Sequence, residues 1–213
     1  MHRMAALRSR SRALILASTT LLGLAACAPT STTSAPGAAQ PVSATLPPDA
    51  VVGAGDPTRA AILNTAYAFA SPANLTGRPA DAAQAVANYE YLTVEIPNGP
   101  RWREFPQTIP QQLAAGRGEL RNAVGIAPNA PPQAVIDSLY AASRAIRAGD
   151  RTAAERILSG PIFPTGGTAT LQRLASLPPV PLANIATSNT QAALTQMDRQ
   201  GRDQDGPGGG GRL

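Results

Sequence analysis

Residues 129–158 read NAPPQAVIDSLYAASRAIRAGDRTAAERIL. Val135, Ile136, Leu139, Tyr140, Ser143 and Ile146 recur at the three- and four-residue steps of one helical face, while Asp137, Arg144 and Arg147 fall on the other. Asn129 is positioned as the N-cap of this helix and Gly149 as its stop. Asp150 then caps a second helix at once, carrying Ala153, Ala154, Ile157 and Leu158. Two helices joined by so tight a turn form a helical hairpin.

The turn Arg147-Ala148-Gly149-Asp150, with Ala153 and Leu158 beyond it, resembles one helix-turn-helix unit of tetratricopeptide-like repeats. No second copy occurs at a period near 34, and a solenoid needs about three stacked units. The hairpin therefore reads as a generic one.

Working outward, the same signals recur. Asp56-Pro57 places an N-cap before a Pro at the first helical position and opens a segment to Ala70, with Ile62, Ala66 and Phe69 on one face. From Pro79 to Ile96, Ala82, Ala85, Val86, Tyr89, Leu92 and Ile96 line one stripe. Asp81, Gln84, Asn88, Tyr91 and Glu95 line the opposite one. Residues 91–96 also alternate acceptably as a strand, but the helical stripe is continuous and is preferred.

Thr108 with Gln111 reads as a capping box ahead of a face made by Leu113, Leu120 and Val124. Gly116 and Gly118 weaken that helix by about 1 kcal/mol each relative to Ala, so either a neighbour packs closely there or the helix breaks. Further segments run from Thr168 to Leu177 and from Leu182 to Gln200. The last has only Leu182, Ile185, Leu194 and Met197 as large apolar residues, which predicts a loosely docked element. Six or seven short helices over residues 56–200 imply a small all-α helical bundle.

Composition excludes much chemistry. Of the 213 residues, 18 are Lys or Arg and every one of these is Arg; the single His is His2 and the single Cys is Cys27. Downstream of residue 27 there is no imidazole, ammonium or thiol. Histidine acid/base chemistry, Cys nucleophiles, Lys Schiff bases and His/Cys zinc sites are then out of reach. No Asp-x-Asp-x-Asp-Gly calcium loop occurs; Asp203-Gln204-Asp205-Gly206 is the nearest approach, and neither a metal nor a cofactor is expected. Although the net charge is +5, Arg3, Arg8, Arg10 and Arg12 precede Cys27 and all 13 acids follow it. The remainder is close to neutral, which argues against nucleic acid as a partner.

Those four Arg, the short apolar run from Ala13 to Leu22 and the ending Leu24-Ala25-Ala26-Cys27 have the order of a secretory signal peptide. The run is shorter than the roughly 20 residues that cross a bilayer. Leu-Ala-Ala-Cys resembles the lipobox of bacterial lipoproteins, a family defined by processing rather than fold, and the resemblance covers residues 1–27 alone. It implies cleavage before Cys27, a diacylglyceryl group on its sulfur and acylation of the new amino group. Ala28 after the Cys implies sorting to the periplasmic face of the outer membrane. Two or more acyl chains hold where one is marginal.

Residues 28–55 carry no charge before Asp49 and no aromatic residue, and read as a disordered Ala/Ser/Thr/Pro tether. Its random-coil span is about 30 Å. Gly201 to Leu213, with Gly208 to Gly211, reads as a disordered tail.

Aromatic and charged residues concentrate between Tyr89 and Phe105. Trp, Tyr and Arg anchor interfaces because they join large area to a polar handle. Tyr91, on the polar stripe, and Arg101, Trp102 and Arg103, in the loop from Pro97 to Pro106, are the candidate binding residues. The competing reading has the loop pack its aromatics into the bundle, since a chain with one Trp tends to use it in the core. The function that follows is a membrane-anchored periplasmic lipoprotein whose helical domain binds an envelope protein or the cell wall, or is purely structural. The alternative is an enzyme acting on peptidoglycan or another envelope polymer through a carboxylate. Glu90, Glu95 and Glu104 are the conceivable acids, and one would have to be buried with a raised pKa.

Overall fold

A computed structural model of the chain describes residues 43–51 and 55–204. The leader, Cys27, most of the expected tether and residues 205–213 lie outside the described residues. Among the described residues there are seven α-helices and no strand: α1 Pro57–Ala70, α2 Pro79–Asn98, α3 Thr108–Val124, α4 Pro132–Arg147, α5 Arg151–Ile157, α6 Gly167–Ala175 and α7 Pro181–Gln204. Short 3-10 turns occupy Pro48–Ala50, Pro72–Asn74 and Pro100–Trp102. The fold is the small all-α bundle that the periodicity predicts.

Local chemistry accounts for most boundaries. The Asp56 side chain accepts from the backbone N–H groups of Thr58 and Arg59, at 2.9 and 3.2 Å, and satisfies two of the orphan donors at the start of α1. Asp150 does the same for α5 through Ala153 N–H at 2.8 Å. Gly149 lies just past α4 at φ +76°, a left-handed conformation that suits Gly.

Two expected caps are not made. α4 begins at Pro132, with Pro131 at the N-cap and no side-chain capping bond. Pro at the first turn has no N–H to satisfy, so Asn129 is left exposed in the preceding turn. Thr108 is the first helical residue of α3 rather than its cap. Ile109 N–H donates to Pro106 O at 3.0 Å, and the Thr108–Gln111 capping box does not form.

The helix α2 runs through the centre and is packed by α1, α3, α4 and α6. Its burial is nearly all-round, so the expected polar stripe is corrected: Asn88 and Tyr91 are buried with the apolar residues. The segment continues as helix through Pro97, where the Asn98 amide and the Gly99 N–H reach the carbonyls of Val94 and Glu95, both at 2.7 Å. At Gly116 on α3 a neighbour does pack closely, because a Cβ there would lie 2.8 Å from Ala183 Cα and would strike the Tyr89 hydroxyl.

The helix α7 lies against α1 and α3, and it is better docked than its large apolar residues predict. Its buried stripe is Ala183, Ala186, Thr187, Thr190, Ala193 and Leu194, whereas Leu182 and Ile185 are exposed. Small residues let the backbones approach, and Thr187 and Thr190 return their hydroxyls to the carbonyls of Ala183 and Ala186 at 2.9 and 2.7 Å. The helix also runs past Gln200 to Gln204, four residues into the expected tail.

The tether boundary is corrected as well. Residues 43–51 lie against α4: the Gln133 side-chain amide exchanges two hydrogen bonds with the backbone of Thr45, at 2.8 and 3.1 Å. Asp49 accepts from Arg144 at 2.7 and 2.6 Å, and Ala44 is buried. These partners are some 90 residues away in sequence, beyond the reach of any composition argument about residues 28–55.

Candidate functional site

The residues singled out between Tyr89 and Phe105 fall at the end of the bundle where α2 stops and α1 starts. The turn Pro100–Trp102 directs Trp102 inward, and the residue is 3% exposed. Its indole Nε1 donates to Glu95 Oε1 at 3.0 Å, and its ring tilts against Phe105 with centroids 5.3 Å apart. Tyr91 is also buried and shares a hydrogen bond of 2.7 Å with the Thr58 hydroxyl of α1. Burial pushes the Tyr91 phenol pKa up, with the Thr58 bond opposing it. Both aromatics are thus core residues, as the competing reading of the loop has it.

Arg101 and Arg103 remain at the surface. Arg101 lies 4.6 Å above the Trp102 ring and pairs with Asp56, the cap of α1. Burial works to raise the Asp56 pKa, but hydrogen bonds from Arg59 N–H and the Arg101 guanidinium outweigh it and hold the carboxyl below its usual value. Arg59 in turn pairs with Asp198 on α7. Arg101 therefore fastens the loop to α1. Arg103 alone of the predicted set is exposed and in no ion pair among the described residues.

Beside Arg103 the loop leaves a cavity of about 190 Å³, walled by Pro97, Trp102, Phe105 and Pro110, with Arg103 and Gln107 at its edge. Two buried aromatics, two prolines and a guanidinium with no ion pair among the described residues form a recess of mixed polar and apolar surface. Such a recess can take one apolar or acidic side chain of a partner.

The three carboxylates considered for catalysis have different surroundings. Glu90 is 1% exposed, and its Oε1 and Oε2 accept from Arg121 Nε and Nη2 at 2.6 and 2.9 Å, with Arg117 Nε adding a contact of 2.8 Å to Oε2. The same Arg121 guanidinium donates to the carbonyls of Ala127, Pro128 and Ala130, at 3.2, 2.6 and 2.9 Å. Glu90 is the anchor of a buried Arg–Glu–Arg cluster that pins the loop between α3 and α4. Glu95 holds Trp102, and Glu104 is on the surface.

Arg117 and Arg121 were not singled out by the sequence. Their spacing of four residues on α3 is a weak signal, and nothing local pairs them with Glu90, which is 31 positions from Arg121. Among the described residues there is no cluster of metal-ligating side chains, and no helix is long and apolar enough to cross a membrane. Cys27 lies outside the described residues. Neither a family model, nor a curated protein, nor a solved structure matches this chain.

Proposed function

We propose that this chain is a lipoprotein of the outer membrane, lipid-anchored through Cys27 on the periplasmic face, whose helical domain binds another envelope protein. The Leu24-Ala25-Ala26-Cys27 box supports the anchor. The observation that carries the binding role is the recess beside Arg103, where a charge without an acidic partner among the described residues borders the side chains of Pro97, Trp102, Phe105 and Pro110. A rigid recess costs little ordering when a partner docks, so a small contact can still yield useful affinity. Trp102, itself buried, acts by setting the shape of the wall.

A photo-crosslinking amino acid at position 103, in cells expressing the full chain, tests the reading. One dominant envelope protein is expected to be captured there and not from position 118 on α3, which faces open space. In a separate pull-down, Arg103→Ala should weaken recovery of that protein about tenfold while leaving stability within about 0.5 kcal/mol. Equal capture from both positions, or none from either, would overturn the assignment.

A further inference from the structure

A second cleft, sharing no residue with the recess at Arg103, opens between α1, the turn Pro72–Asn74 and α2, with a volume of about 240 Å³. Its lining mixes apolar side chains with four side-chain amides brought from three elements: Asn64, Asn74, Gln84 and Asn88. At the rim stands Tyr67, 65% exposed and the most exposed of the large apolar side chains among the described residues. Arg78 and Asp81, the charged members of the lining, are paired with each other at 2.9 Å.

Asn88 indicates what the cleft is built to meet. The residue is 2% exposed, and its Oδ1 accepts from the Tyr140 hydroxyl at 2.5 Å, which fixes the amide. Its Nδ2 has no hydrogen-bond partner among the described residues, yet no sealed side-chain nitrogen or oxygen there lacks one. Nδ2 therefore opens to the cleft that Asn88 lines. A fixed donor with one open direction leaves an apolar occupant at a disadvantage, because the amide would be covered without a partner.

We infer that this cleft binds one neutral pyranose ring of a carbohydrate. Asn74 Nδ2 is committed to Tyr67 O and Gln84 Oε1 to Arg147, at 2.6 and 2.8 Å, which leaves Asn88 Nδ2, Asn74 Oδ1 and the Asn64 amide to offer the mix of donors and acceptors that sugar hydroxyls require. Tyr67 supplies a flat π-face, negative at its centre, for the weakly positive C–H face of the ring. Asp81 is shared by Arg78 and Arg147, at 2.9 Å each, and Arg147 is further held by Gln84 Oε1 at 2.8 Å, so both guanidiniums are engaged within the protein, which fits a neutral ligand better than a phosphate. The volume is below the roughly 300–1,000 Å³ of drug-sized pockets, and matches a single ring rather than an oligosaccharide groove. The ligand is either a free sugar or one residue of an envelope glycan.

The test is amide-resolved NMR on the full-length chain in detergent, titrated with glucose, galactose and N-acetylglucosamine, with a soluble glycan strand as a separate arm. At roughly ten times a Kd of about 1 mM, at least one sugar should move the Asn88 side-chain amide and the backbone signals of Asn64 and Tyr67. Tyr67→Ala should weaken that response about tenfold and Tyr67→Phe should retain it, since the ring and not the hydroxyl makes the contact. Tyr67 is exposed, so neither variant threatens the core. Response to the strand alone would assign the site to a polymer, and response to the monosaccharides alone to a free sugar. Silence of the Asn88 amide to every probe, or an undiminished response in Tyr67→Ala, would overturn the inference.

Discussion

Arg121 gathers more buried polar structure than any other side chain described. It is 4% exposed and bonds both oxygens of Glu90 and three carbonyls of the α3–α4 loop. Removing one partner of a buried pair strands the other charge, so Arg121→Met should cost about 3–5 kcal/mol in urea denaturation followed by circular dichroism. Adding Glu90→Leu should recover only part of this, because the buried carbonyl of Ala130 stays unpaired at about 1–3 kcal/mol, whereas Ala127 O keeps the Ala130 N–H and Pro128 lies at the surface. Full recovery in the double variant would show that the loop carbonyls do not depend on the guanidinium.

The acid side of the stability curve is set by exposed and half-buried pairs. Hydrogen bonding from Arg144 lowers the pKa of Asp49, and bonding from Arg59 lowers that of Asp198. Asp56 is lowered despite its burial. Each carboxyl has a folded pKa below its unfolded value near 3.9. The unfolded chain therefore takes up protons first as pH falls. The stabilisation is complete above about pH 5, begins to fade as the unfolded carboxyls take up protons, and is lost as pH drops through the folded values. Denaturation midpoints taken from pH 6 down to pH 3 should fall most steeply at the acid end, and Asp56→Asn should flatten that slope.

Among the elements, α7 shows what residue size does to a reading based on large apolar side chains. Its stripe of Ala183, Ala186 and Ala193 is buried against α1 and α3, while Leu182 and Ile185 face out at 47% and 53% exposure. Ala186→Leu should destabilise by about 1–3 kcal/mol through overpacking. Leu182→Ser should be neutral within about 0.5 kcal/mol, although a hydropathy argument ranks the two the other way. Thermal melts of both variants decide between the rankings.

The same element marks the limit of what was legible. Caps at Asp56 and Asp150 and the stop at Gly149 were legible because each is a contact within a few residues. The caps expected at Asn129 and Thr108 failed because neighbouring prolines shifted the helix starts. Phe163, 1% exposed in the loop before α6, carried no periodic signal at all. Docking of residues 43–51 depends on Gln133 and Arg144, and the Glu90 cluster on Arg121. Such pairings are set by topology, which no local pattern records. At the candidate site the concentration of Trp, Tyr and Arg was visible, but not that burial of Tyr91 and Trp102 and the pairing of Arg101 with Asp56 would leave Arg103 as the one exposed candidate binding residue in no ion pair among the described residues.

For the whole molecule, the proposed anchor and the helical domain are separable in physical terms. The core is assembled from Ala44 onward, and no described helix has the length and apolarity to cross a membrane. Membrane attachment would then rest on the acyl chains at Cys27, each buried methylene contributing about 0.8 kcal/mol. Cys27→Ser removes the sulfur that would carry the diacylglyceryl group, at a position outside the described residues. The variant should leave the membrane fraction and fail to incorporate labelled palmitate, while its melting temperature matches that of the parent chain. Retention of Cys27→Ser in washed membranes would place the attachment elsewhere. Loss of helicity in the same variant would tie residues before the described core to folding. A soluble, fully helical Cys27→Ser protein that still captures its partner through position 103 would separate where the protein is held from what it binds.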